Sequence, residues 1–166
     1  MFAETLEIVD EEGRVIGLAS RQACHSDPFL LHRVVHVLVV NDLGFILLQK
    51  RSPGKDVQPD KWDTSVGGHL HPKESYEAAA EREMREELGI GKRPLLLLYD
   101  YHWRTAIESE LVRTYLCHDG GPFSPNEGEI SEARFWSIEA IQGHLGDGTF
   151  TPNFEEEFVR YLKWKG

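Results

Sequence analysis

Two hydrophobic periods alternate along the chain and predict its elements. His32 to Val40 is β-branched and apolar, Asn41-Asp42-Leu43-Gly44 is turn chemistry, and Phe45-Ile46-Leu47-Leu48-Gln49 is apolar again. That pattern is a hairpin signal. Residues 5–9 and 14–18 read as short strands around the acidic turn Asp10-Glu11-Glu12-Gly13, and residues 21–26 as a short helical or irregular piece. Leu95–Trp103, Glu108–His118 and Glu132–Trp136 read as further strands. Ser137 caps a short helix to Ile141, and Asn153–Lys163 is a terminal amphipathic helix. Arg51–Asp60 and Gly143–Gly148 are loops. Strands mixed with helices of this size predict an α/β domain, a mixed sheet with helices on both faces.

One stretch carries chemistry as well as period. Gly68-His69-Leu70-His71-Pro72-Lys73 leads into a run from Glu74 to Ile90 that is rich in alanine and glutamate. Pro72 suits a helix start, Ser75 or Glu74 can cap it, and Gly89 suits a left-handed end. At about 100° per residue, Glu83 and Glu87 point within roughly 40° of each other, and Glu86 lies about 60° to the other side of Glu83. Crowded carboxylates repel one another, and Mg²⁺ or Mn²⁺, which take oxygen ligands, relieves the repulsion. Arg82 adjoins this face and can orient a glutamate. Met84 and Leu88 point to the core. The loop Val66-Gly67-Gly68-His69 lets backbone approach a metal or phosphate closely, which counts Gly67 with the metal site.

Composition narrows the partners. With 166 residues the chain is read as one domain, 1–166, with residues 1–28 and 150–166 as extensions. Eighteen basic and 28 acidic residues give a net charge of −10, which disfavours binding along a nucleic acid backbone. A small phosphorylated substrate is still compatible. Two cysteines, Cys24 and Cys117, make no disulfide framework. No signal peptide or bilayer-spanning run is evident, so a cytoplasmic enzyme with no membrane partner, monomer or homodimer, is expected.

The spacing from Gly68 to Ile90 resembles the Nudix box, G-x5-E-x7-R-E-U-x-E-E-x-G-U with U apolar, at every fixed position. The resemblance implies an α/β/α sandwich over about residues 30–142 and metal-assisted attack on a diphosphate. His32-Arg33-Val34, Leu48-Gln49-Lys50-Arg51-Ser52, Lys55, Pro59-Asp60-Lys61-Trp62 and Gly68-His69 resemble type I isopentenyl diphosphate isomerase and its isomerase-like Nudix hydrolase relatives over most of residues 4–142. That likeness implies a second divalent metal on His25, His32, His69, Glu108 and Glu110, and phosphate binding by Arg21, Arg51 and Lys55. His25 and His32 keep the gap expected, and Glu108 and Glu110 alternate, so both face one side of a strand.

One position departs from the isomerase. It needs a cysteine just before the glycine–histidine pair, and Gly67 stands there. Glycine moves no proton, so a 1,3-proton shift at carbon is disfavoured. The expectation is an Mg²⁺-dependent hydrolase of a nucleoside diphosphate or related X-linked diphosphate. Glu86 is the candidate base, with Glu127, Glu129 or Glu132 on a loop over the site as alternates. Trp62, Trp103 and Tyr101 are candidates to stack a planar group or, as aromatics near strands usually are, core. The rivals are a prenyl diphosphate isomerase and a non-catalytic metabolite-binding module.

Overall fold

The computed structural model describes residues 4–166; positions 1–3 of the N-terminal extension lie outside the described residues. The elements are β1 (Thr5–Val9), β2 (Val15–Ser20), α1 (Arg21–Cys24), β3 (His32–Val40), β4 (Ile46–Arg51), β5 (Trp62–Asp63), β6 (Val66–His69), α2 (Tyr76–Leu88), β7 (Leu96–Arg104), β8 (Ser109–His118), β9 (Ile130–Trp136), α3 (Ile138–His144) and α4 (Pro152–Lys165). The expected strands and helices are present with ends shifted by a few residues.

β3 is the organising strand. Along one side it pairs in parallel with β8, from His32↔Glu110 to Val40↔His118. Its other side is shared. β1 meets it at His32, β6 runs antiparallel to Val34–Val37, and β4 touches it only at Val40↔Ile46. β4 then turns away to pair with β9 and β5. The sheet is therefore mixed. The Asn41 turn forms as expected, with its side chain accepting from Leu43 N and Phe45 N, both at 3.0 Å. The hairpin arms nonetheless separate after one pair, because β6 takes the edge of β3 that a simple hairpin would use. Ser65 closes the gap: its hydroxyl accepts from Val39 N at 2.9 Å and donates to Leu47 O.

β6 corrects the expectation of a loop at Val66–His69. Its two glycines carry no strand propensity, yet β3 offers a free ladder edge, and an added Cβ would stand 3.1 Å from His36 Cδ2 at Gly67 and 2.4 Å from Glu83 Cδ at Gly68. Cross-strand partners share a face. Gly67 lies opposite His36, and Gly68 points the other way, toward α2.

Alternation along β3 separates two cores. Val35, Val37 and Val39, with Leu47 and Val66, pack on Ala79, Ala80, Met84 and Leu88 of α2. Leu38 and Val40, with Ile46 and Leu48, pack on Phe154, Phe158 and Tyr161, which fall on one stripe of α4. Each main helix is capped by a hydroxyl: Ser75, Ser137 and Thr151 accept from the third residue beyond. Gly89 ends α2 at φ 69°.

A buried carboxylate ties α4 to the sheet. Glu157 is fully buried. It accepts from His36 Nδ1 at 3.0 Å, Tyr99 Oη at 2.8 Å and Thr114 Oγ1 at 3.2 Å. Burial pulls the His36 pKa down, but the hydrogen bond and charge of Glu157 outweigh it, and the net shift is upward. Breaking one side of such a pair costs about 3–5 kcal/mol, because the other is left buried and unpaired. Glu157→Ala is therefore expected to lower the urea midpoint by an amount in that range. A raised histidine pKa contributes stability fully below about 6.5 and loses it as pH rises through the folded value. The Glu157→Ala penalty should accordingly shrink between pH 6 and pH 9; a penalty that grows contradicts this assignment.

Candidate active site

The site begins at the junction of α2 and β6. Helical spacing turns Glu83 and Glu87 toward the sheet. Glu87 is buried. It accepts from Gln49 Nε2 at 2.7 Å and from the backbone N–H of Gly67 at 3.3 Å. A Cβ on Gly68 would stand 2.4 Å from Glu83 Cδ, so the carboxylate rests on space that only glycine leaves. Arg82 binds both oxygens of Glu74 at 2.9 Å, the carbonyl of His69 at 3.0 Å and Glu83 Oε1 at 2.5 Å. Ser75 thus provides the cap, and Glu74 anchors Arg82 instead. Glu86 sits at the rim, its side chain 55% exposed and 3.5 Å from Arg82.

The electrostatics of this pair suit a cation. Burial, then the charge of Glu83, raises the Glu87 pKa well above the carboxylate range, against the pull of Gln49. Burial likewise raises Glu83. Two buried carboxylates that resist ionising together offer the oxygen ligands that fit Mg²⁺ or Mn²⁺. The segment after β8 closes this side. Ser124 N donates to Leu88 O at 2.8 Å and Asn126 N to Glu87 O at 2.9 Å, so the expected overhanging loop is pinned to the end of α2. From it, Glu129 adds a charge that further raises Glu87, while Glu127 and Glu132 are exposed.

A second cluster lies on the opposite face of β6. His25, His32 and His69 converge, with His25 Nε2 and His69 Nε2 3.1 Å apart and ring centroids 5.0–5.8 Å apart. Glu108 approaches His25 at 3.8 Å, and Glu110 approaches His32 at 3.8 Å and His69 at 4.0 Å. Between the glutamates Ser109 turns away to donate to Pro28 O, as strand alternation requires. His32 Nδ1 donates to Leu30 O at 3.0 Å, which directs the lone pair of Nε2 into the cluster, where that buried atom has no protein partner. An imidazole oriented by a carbonyl, with a free inward nitrogen, is the expected form of a metal ligand. Burial, then neighbouring imidazoles and Arg21, pushes His69 down to about 2. Burial, then Glu108, pushes Glu110 up to about 8. Neutral nitrogens and protonated oxygens fit an ion that displaces protons.

The other expected residues are placed as follows. Arg21 binds Glu4 at 3.2 Å and its charge reaches His25, His69 and Glu108. Arg51 Nε donates to Val57 O at 2.9 Å, and Arg51 NH1 is 3.6 Å from Asp63, so it shapes the loop carrying half-buried Lys55. Trp62 and Tyr101 are core side chains, and Trp103 packs partly buried beside Tyr101. Both thiols, Cys24 and Cys117, are buried and free. Gln49, His36 and Glu157 escaped sequence reasoning as site residues. The available signal was a polar residue inside an apolar strand, at Gln49 and His36.

The NUDIX domain family model matches residues 30–154. The chain belongs to the Nudix family. An uncharacterised Nudix hydrolase of Yersinia pestis is 34% identical over 154 residues, 90% of this chain and 81% of the relative. The Nudix hydrolase YfcD of Escherichia coli K12 is 32% identical over 164 residues, 96% and 87% of the two chains. A Streptomyces avermitilis protein named isopentenyl-diphosphate Delta-isomerase is 44% identical over 151 residues, 86% and 76%. Among solved structures, one from Deinococcus radiodurans superposes with TM-score 0.83 at 25% identity, over 95% of this chain and 98% of that one. The MutT protein of Methanosarcina mazei superposes with TM-score 0.67 at 25% identity, over 82% and 97%. The Nudix fold and a hydrolase acting on diphosphate bonds follow.

Two outcomes test this geometry. Gly68→Ala must push Glu83 aside, so Nudix hydrolysis should fall at least about 100-fold while circular dichroism stays native. Because the buried carboxylates, whose pKa values are raised, must lose protons to bind metal, the thermal shift given by Mn²⁺ should grow from pH 5.5 to pH 8. A shift independent of pH, or one larger at pH 5.5, contradicts the proton-linked cluster.

Proposed function

We propose that this Nudix hydrolase is Mg²⁺- or Mn²⁺-dependent and cleaves the diphosphate linkage of a nucleoside diphosphate or a related X-linked diphosphate. The observation that carries the reading is the pairing of Glu83 and Glu87 over the Gly67–Gly68 backbone, with Arg82 fixing Glu83. Glu83, Glu87 and the Gly67 carbonyl would hold the ion, with Glu86 beside it at the rim. When bound, a divalent ion neutralises phosphate charge and makes water more acidic. Glu86 accepts the water proton, with Glu129 as the alternate. Arg51 and Lys55, from their loop, and Arg21 hold the substrate phosphates. In the second cluster His25, His32, His69, Glu108 and Glu110 bind a second divalent ion, Zn²⁺, Mn²⁺ or Mg²⁺.

The isomerase reading draws on the Streptomyces relative and on Glu110. It fails at Gly67. A Cβ there would lie 3.1 Å from His36 Cδ2, so the place of the missing thiol is flanked by an imidazole already bound to Glu157. Among the described residues, no helix is long and apolar enough to cross a membrane.

A panel of nucleoside and other diphosphates with Mg²⁺ should release phosphate or a monophosphate, and chelation should abolish this reversibly. Glu87→Gln is expected to lower kcat at least about 100-fold, as loss of a metal ligand does. Isopentenyl diphosphate should not convert to its allylic isomer. Ligand-induced thermal shifts without turnover of any substrate would favour a binding module and contradict the hydrolase.

A further inference from the structure

Two buried polar atoms border Gly67 and are left over from the protein's own hydrogen bonding. His36 is 7% exposed and lies across the ladder from Gly67. Both of its hydrogen-bonding contacts are made by Nδ1, to Glu157 at 3.0 Å and to Tyr101 Oη at 3.4 Å, and Nε2 has none among the described residues. Thr64 is 4% exposed, and its hydroxyl has no partner either. A Cβ on Gly67 would lie 3.4 Å from His36 Nε2 and 3.7 Å from Thr64 Cγ2, so both side chains border a position that carries no side chain. Buried polar groups are normally bonded, and an unbonded pair beside a metal site calls for a ligand group.

The chemistry of the two atoms narrows that group. An imidazole nitrogen accepts when the ring is neutral and donates when it is charged, and a threonine hydroxyl does both. A hydroxyl on the ligand, itself donor and acceptor, matches the pair in either state of the ring. A phosphate oxygen is opposed by the carboxylates of Glu157, Glu110 and Asp63, whose charges all reach His36. A hydrocarbon leaves both atoms unpaired.

We propose that His36 and Thr64 are specificity-determining residues that bind a hydroxyl of the group X joined to the diphosphate. The substrates are then diphosphates of hydroxylated groups, nucleosides or sugars, rather than of alkyl or prenyl chains. This rests on the hydrolase reading above: Gly67 N–H donates to Glu87 at 3.3 Å, so a diphosphate held by the ion at Glu83 and Glu87 brings X beside Gly67. Glu157 holds the ring from behind, through Nδ1, and so fixes the direction of Nε2. A site built to bond a hydroxyl rejects the analogue that lacks it, because its buried polar atoms are then left unpaired.

The test is kcat/KM of the full chain with Mg²⁺ for two classes of diphosphate. One class is ADP, its 2′-deoxy and 3′-deoxy forms, and a hexose 1-diphosphate; the other is ethyl and isopentenyl diphosphate. The best hydroxylated substrate should exceed the second class by at least about 100-fold, and the deoxy and hexose arms show which hydroxyl carries the preference. Thr64→Val removes only an unpartnered hydroxyl, so the thermal midpoint should stay or rise. It should nonetheless lower kcat/KM for the hydroxylated class about 10-fold and leave the alkyl class within about two-fold. His36→Leu/Glu157→Gln, which leaves no buried charge unpaired, should lose the preference in the same way. Alkyl diphosphates hydrolysed as fast as hydroxylated ones overturn the proposal, as does a Thr64→Val loss equal in both classes. Hydrolysis of no diphosphate in either class overturns the hydrolase reading itself, and this inference with it.

Discussion

The molecule depends on one close approach, that of the glycine pair in β6 to the carboxylates of α2. Gly67 offers its N–H to Glu87, and Gly68 leaves room for Glu83. A side chain at Gly68 would occupy the place of the Glu83 carboxyl carbon. The rest of the fold holds this contact. β3 supplies the ladder that keeps β6 extended, Gln49 of β4 orients Glu87, and Arg82 bonds α2 to the β6 carbonyl at His69. Buried carboxylates that repel one another are unfavourable in isolation. The energy of the surrounding packing maintains them, as is usual where local rules are broken at a functional site.

The strand also links two chemistries. Successive residues of a strand face opposite sides, so Gly68 serves the α2 face and His69 projects into the histidine cluster. Arg82 touches both, through Glu83 and through the His69 carbonyl. The two clusters therefore share a backbone and an arginine while their side chains point apart. His32, with Nδ1 bonded to a carbonyl and Nε2 aimed inward, has the preparation a ligand needs.

Much of this was legible in the chain, for identifiable reasons. The α2 glutamates obey helical spacing, and spacing within one helix survives any tertiary rearrangement. The histidine cluster was legible only through its likeness to a family, because His25, His32 and His69 come from three elements and Glu108 and Glu110 from a fourth. β6 was hidden. Two glycines remove the side-chain signal of a strand, and the reason for the strand lies in partners far away in sequence. Gln49, His36 and Glu157 were hidden for the same reason: a polar residue in an apolar run signals a partner without saying which. The β3–β4 hairpin shows the converse, where correct turn chemistry did not fix the pairing beyond it.

The central claim is that the α2 carboxylates, seated on β6, are the seat of the catalytic ion. The most direct measurement is an anomalous difference map from crystals of the active enzyme grown with Mn²⁺. The proposed function predicts one peak between Glu83, Glu87 and the Gly67 carbonyl, and a separate one among His25, His32 and His69. An enzyme active with Mn²⁺ whose map shows no density between Glu83 and Glu87 would contradict the account.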